Sequence, residues 1–164
     1  MSFFMIDRIV SWEKGKRIVA LKTLSLCEEY LADHFPAFPV MPGVLMLEAM
    51  AQAAEWLLRL SDDISVHIFL LCEVRAVRYG NFVRPGDLLR LQVELLKNEG
   101  ARYTFKGKGV VGNVDAVTGK FTLVRKELNK LQPGLDGLHE KIELHFRERR
   151  LALMRCEGKL DSDS

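Results

Sequence analysis

The chain has 164 residues, 48% of them hydrophobic and 28% charged, with a formal net charge of +2. That length accommodates one domain with a real core and leaves no room for two full ones. The near-neutral balance, with no cluster of basic residues interleaved with aromatics, argues against nucleic acid as a partner.

Cys27, Cys72 and Cys156 are far apart and in no CxxC spacing, which points to a reducing compartment and not to disulfides or zinc. The N-terminal MSFFMIDRIV places Asp7 and Arg8 where a signal peptide needs an apolar run. No segment approaches the roughly 20 apolar residues of a membrane span, so no membrane insertion is expected. The expected location is cytoplasmic.

Residues 6–12 and 17–24 are rich in Ile, Val and Leu and flank Glu13-Lys14-Gly15-Lys16, which predicts a β-hairpin. Residues 25–42 hold Pro36, Pro39 and Pro42 and no sustained period, and they read as loop. Residues 43–60 predict one helix, with Pro42 suited to its start. Leu45, Met46, Leu47, Met50, Ala51, Ala54, Leu57 and Leu58 cover most of its circumference, so it should be wrapped by other structure.

Strands are expected next. The first spans 68–77; in the second, Leu89, Leu91, Val93 and Leu95 alternate with Arg90, Gln92 and Glu94, giving one wet face. Tyr103 and Phe105 belong to a third, Phe121 and Leu123 to a fourth, with turns at 98–100 and in the 112–119 region. Arg84-Pro85-Gly86-Asp87 reads as a tight turn. The sum is an α+β domain over 1–130, a long central helix wrapped by a curved antiparallel β-sheet.

Residues 131–164 form a C-terminal extension, opened by Pro133-Gly134. Leu138, Ile142, Phe146 and Leu153 fit a helix face, although Ile142, Leu144 and Phe146 fit a strand as well. The last residues, KLDSDS, are expected to be disordered.

The stretch from His34 to Gln52, HFPAFPVMPGVLMLEAMAQ, concentrates the chemistry. Glu48 is the only charged side chain between Phe35 and Ala54, and a carboxyl in apolar surroundings needs a partner or a task. Burial should raise its affinity for a proton, so that it can serve as an acid. His34 suits a general base, since a neutral imidazole is available near neutral pH. Gly43 and Val44 fall at the helix mouth, where unpaired amides and the helix dipole can hold a carbonyl oxygen as negative charge develops. Those parts suit proton abstraction beside a carbonyl with loss or addition of water. No metal is expected, because His34 and Glu48 match no HExxH spacing.

The same stretch closely resembles the active-site segment of the β-hydroxyacyl-[acyl-carrier-protein] dehydratases of fatty-acid synthesis (FabZ-type). The matching residues are His34-Phe35-Pro36, Pro39-Val40-Met41-Pro42-Gly43-Val44-Leu45 and Glu48-Ala49-Met50-Ala51-Gln52. Met5-Ile6-Asp7-Arg8-Ile9, residues 17–25 and Arg84-Pro85-Gly86-Asp87 resemble other parts of that family. The resemblance implies a hotdog fold, no cofactor, acyl carrier protein as the partner bearing the substrate, and a homodimer at least, or a trimer of dimers. It also implies shared sites, each taking His34 from one subunit and Glu48 from the other. The Gly43 amide, aided by Val44, would polarise the thioester carbonyl, and Gln52 would position Glu48.

Glutamate at the acid position resembles the dehydratase-only branch, whereas dehydratase-isomerases carry aspartate there. Asp33 stands where the family has glycine, Ala37-Phe38 replaces a Gly-Asn-like pair, and residues 131–164 have no counterpart. Arg75, Arg78, Arg84 and Arg90 are candidates to meet an acidic carrier. The competing readings are a hotdog hydratase or thioesterase acting on coenzyme A esters, and a non-catalytic hotdog subunit that binds acyl thioesters.

Overall fold

A computed structural model describes residues 3–35, 37–62, 67–127 and 136–154. Strand β1 (Arg8–Glu13) turns into β2 (Arg17–Thr23), followed by a one-turn helix α1 (Tyr30–Asp33) and the long helix α2 (Gly43–Asp62). Strands β3 (His67–Tyr79), β4 (Leu88–Glu99), β5 (Arg102–Val111) and β6 (Val114–Glu127) follow, then α3 (Asp136–Met154). The six strands form one sheet in the order β1-β2-β4-β5-β6-β3, and every neighbouring pair is antiparallel.

Alternation puts one face of this sheet against α2. In β4, Leu89, Leu91 and Val93 are buried while Arg90, Gln92 and Glu94 face outward. Met46, Ala49, Met50, Ala53, Ala54, Leu57 and Leu58 of α2 are buried among them, and Phe105 and Phe121 stack at 5.6 Å beneath the helix. Register shifts in β1, β3, β4 and between β5 and β6 mark bulges, which bend strands and let a sheet curve round a helix. Close approach of helix to sheet depends on Gly107. A Cβ there would lie 2.6 Å from Met50 Sδ and 3.0 Å from Phe121 Cε1.

The hairpin, the interior helix and the four strands match the sequence reading, with three differences. The segment read as loop contains α1. Only residues 112–113 turn in the 112–119 region, and Gly119 is a β6 residue paired with Gly107. Asn98 belongs to β4, with the turn at 100–101. Polar and glycine residues there sit inside long twisted strands, where ladder pairing outweighs weak local preference. The segment with two readings is helix over Asp136–Met154, whereas the expected disordered end lies outside the described residues.

The N-terminal Asp7 is pinned by its neighbours. Its carboxylate accepts the Thr23 N–H at 2.7 Å and lies 3.4 Å from the buried Lys22 ammonium, which also reaches Glu28 at 2.6 Å. The Arg84–Asp87 turn is closed by its own aspartate, whose carboxylate accepts the Arg84 N–H at 2.7 Å. Gly86 has φ +93 there, a left-handed conformation that side chains resist, and its N–H bonds to Leu24 C=O at 2.8 Å.

The two sheet edges differ. Helix α3 packs along β1, whereas β3 carries exposed Leu70, Leu71, Val74 and Tyr79.

Candidate active site

His34 caps α1 at its C-terminal end, where extended backbone (φ −119, ψ 101) breaks the helix, and its ring meets Phe35 edge-on at 4.6 Å. Phe35 takes φ +50, an uncommon conformation for a bulky residue, and thereby redirects the chain toward the helix mouth. The loop is tied down by the Met41 N–H, which donates to Val83 C=O at 2.9 Å. His34 is half-buried and lines a cavity with Phe35, Val40, Met41, Gly43 and Val44 on one side and Tyr79 to Phe82 on the other.

Helix α2 opens into this cavity. Pro42 C=O accepts from the Leu45 and Met46 N–H groups at 2.9 and 3.3 Å, which starts the helix and leaves the Gly43 and Val44 amides as its first donors, without helical acceptors. The space beside Gly43 is taken by Tyr79. A Cβ would sit 2.9 to 3.1 Å from the ring atoms Cε1, Cδ1 and Cζ of Tyr79, which lies over the helix mouth.

Glu48 is not among the residues lining the His34 cavity, and no described lining residue carries a carboxylate. The structure brings His34, Gly43 and Val44 together in one cavity, whose lining does not include Glu48, one helical turn on from Val44. Nor is Glu48 fully buried within one protomer, contrary to the enclosed setting its apolar neighbours suggest: like Gln52 and Glu55 it lies on the side of α2 that the sheet does not fully cover. Its Oε1 accepts a hydrogen bond from Gln52 Nε2 at 2.9 Å, one helical turn on. Gln52 Nε2 also donates to Phe3 C=O at 3.0 Å, and Gln52 Oε1 accepts the Met5 N–H at 2.8 Å.

Sequence reasoning missed Tyr79, Asn81 and Phe82, which complete the cavity wall. The aromatic residues flanking Gly80-Asn81 were a signal, but nothing local placed them opposite residue 43. It also missed Phe3 and Met5, which act through backbone atoms and leave no side-chain signature. Phe38, the departure from the family pattern, packs edge-on against Phe82 at 5.6 Å with the Arg84 guanidinium 5.3 Å from its ring. The side chain of Asp33 lies outside the described residues. No group of three or more His, Cys, Asp or Glu side chains among the described residues could hold a metal ion. No helix among them is long and apolar enough to cross a membrane.

Comparison with known proteins places the family and the fold. A family model described as FabA-like domain matches residues 1–120. The 3-hydroxyacyl-[acyl-carrier-protein] dehydratase FabZ of Variovorax paradoxus is 41% identical over 132 residues, spanning 77% of this chain and 87% of that protein. Among solved structures, the dehydratase heterocomplex ApeI:P from Xenorhabdus doucetiae superposes with a TM-score of 0.63 at 21% identity, over 77% of this chain and 86% of that one. A hot-dog-like protein from Thermanaerovibrio acidaminovorans gives 0.60 at 18% identity, over 84% and 93%. The long helix against a six-stranded antiparallel sheet is therefore the hotdog fold, and the chain belongs to the FabA-like family, beside the FabZ dehydratases.

Proposed function

We propose that this chain dehydrates a (3R)-3-hydroxyacyl thioester carried on acyl carrier protein to the trans-2-enoyl thioester, in fatty-acid or related lipid biosynthesis. The observation that carries the reading is the half-furnished cavity: it has an imidazole and the amides of a helix mouth, but no acid. His34 removes the proton from the α-carbon, and the C–H pair becomes the new C=C bond. The C–O bond at the β-carbon breaks as Glu48 gives its proton to the departing hydroxyl, so that water leaves. The Gly43 N–H, with Val44 beside it and the helix dipole behind both, stabilises charge on the thioester oxygen.

The missing acid is supplied by a second copy. Strand β3 ends at Tyr79, where the cavity wall begins, and its exposed apolar residues make a sheet edge that should not stay bare. Pairing of two such edges in a homodimer, itself free to assemble into a hexamer, sets the α2 of one subunit beside the His34 cavity of the other and encloses Glu48. Arg75, Arg78, Arg84 and Arg90 are exposed and suit an acidic carrier. The proposed setting is the cytosol, and the proposed catalytic unit is the domain over 1–130.

The test supplies purified protein with 3-hydroxyacyl and enoyl thioesters on carrier protein and on coenzyme A. Interconversion of the two with preference for the carrier-bound pair is the expected result. Thiol release without interconversion identifies a thioesterase, preference for coenzyme A a hydratase, and no reaction a binding module.

Gly43→Ala separates space from stability. The exposed Tyr79 ring can swing aside, so the melting temperature should change little, a cost below about 1 kcal/mol. The displaced ring then intrudes on the thioester oxygen's position, and turnover should fall by about 10-fold or more.

A further inference from the structure

We propose that the C-terminal helix α3 is a brace for the acid. Through residues 3–6 and the Gln52 amide it fixes which oxygen of Glu48 carries the proton. The inference rests on the reading of Glu48 as the acid, and it concerns a helix that lies beyond the family match at 1–120.

The chain of contacts begins in α3. Phe146 packs against Trp56 at 6.1 Å and under the Arg59 guanidinium at 3.6 Å, and Leu153 is fully buried, so α3 is seated on α2. From that seat two side chains grip the N-terminal segment. His145 stacks on Phe4 at 5.8 Å with the rings nearly parallel, and the Arg149 guanidinium lies 4.0 Å from the centroid of the same ring. Arg149 Nη2 also donates to Ile6 C=O at 2.7 Å. Met5 and Ile6 are buried in the hydrophobic core.

The segment so held dictates the orientation of Gln52. Its amide faces the Met5 N–H, which needs an acceptor, and the Phe3 C=O, which needs a donor. A flipped amide would set donor against donor and acceptor against acceptor, so the backbone settles the assignment. Nε2 has two hydrogens. One goes to Phe3 and the other to Glu48 Oε1. Oε1 is thereby the accepting oxygen, and when Glu48 is protonated this bond favours the better-accepting carbonyl form at Oε1 and the proton on Oε2, the oxygen left to face a substrate hydroxyl. Without the brace, Phe4 and Ile6 lose their contacts with α3, the segment loosens and the amide can rotate. Proton placement on Glu48 then becomes a mixture. Arg149 and His145 are positioning residues in this scheme.

The experiment uses the full chain with Arg149→Met, Arg149→Lys and, as a control at an exposed position of α3, Glu148→Gln. Two readouts are taken: hydrogen exchange of the Met5 amide, and kcat and KM on a carrier-bound 3-hydroxyacyl thioester. Arg149→Met should speed Met5 exchange by about 10-fold or more, since it frees a local opening while the sheet stays protected. It should lower kcat by about 10- to 100-fold with KM within about 2-fold, as expected for a small displacement of an acting group. Lysine, which restores a donor and a cation, should recover part of both effects, and Glu148→Gln should change neither. Wild-type kcat together with fast Met5 exchange in Arg149→Met would overturn the link from segment to acid. Unchanged exchange would overturn the brace itself. A wild-type protein that turns over no hydroxyacyl thioester, yet shows the exchange effect, retains the brace and removes the dehydratase reading.

Discussion

Alanine at position 34 should leave a folded protein that turns over its thioester about 10²- to 10⁴-fold more slowly, the usual contribution of a general base, and Glu48→Gln should do the same for the acid. On the free-energy scale each loss is about 3–5 kcal/mol of barrier. The two residues act in one event, so the double variant should be little worse than either single one. Stability is a separate matter. His34 is half-buried in a loop with Phe35 as its ring partner, and its removal should cost no more than about 1 kcal/mol. Glutamine at position 48 keeps an oxygen to accept the Gln52 N–H, so it removes the proton and retains the geometry. Unaltered circular dichroism and melting beside collapsed turnover is the expected pattern. Comparable turnover in either variant would remove that residue from the chemistry.

Much of this site was legible in the sequence because it is local. His34, the prolines, Gly43 and Glu48 lie within one loop and the two first turns of one helix, so spacing alone set their order along the chain. The fold was legible for a similar reason: α2 is apolar nearly all round, and β4 alternates in strict period 2, so interior helix and one-faced sheet followed from periodicity.

What escaped were relations made across the fold. The Tyr79 ring over Gly43 joins the end of β3 to the start of α2, and no local pattern encodes that meeting. Helix α1 escaped because a single turn carries no period. The enclosure of Glu48 was misjudged for one protomer, since an apolar sequence neighbourhood states what a residue has beside it in the chain and not what covers it. Gln52 was legible as a neighbour of Glu48 one turn away, but its second and third bonds go to backbone atoms of Phe3 and Met5, which any sequence could have supplied.

The central claim is that His34 and Glu48 meet only across two copies of the chain. Mixed assemblies test it most directly. In a heterodimer of His34→Ala and Glu48→Gln subunits, a shared arrangement leaves one site with neither wild-type group and the other with both. Random pairing makes half the dimers mixed, with one intact site of two in each, so about a quarter of wild-type activity should return. Co-expressing the two inactive variants with different tags, isolating the material that carries both and measuring its dehydration rate therefore settles the point. Isolated heterodimers should run at about half the wild-type rate per dimer, one working site of two. Activity no higher than that of the parent variants would place His34 and Glu48 in the same subunit's site and contradict the account.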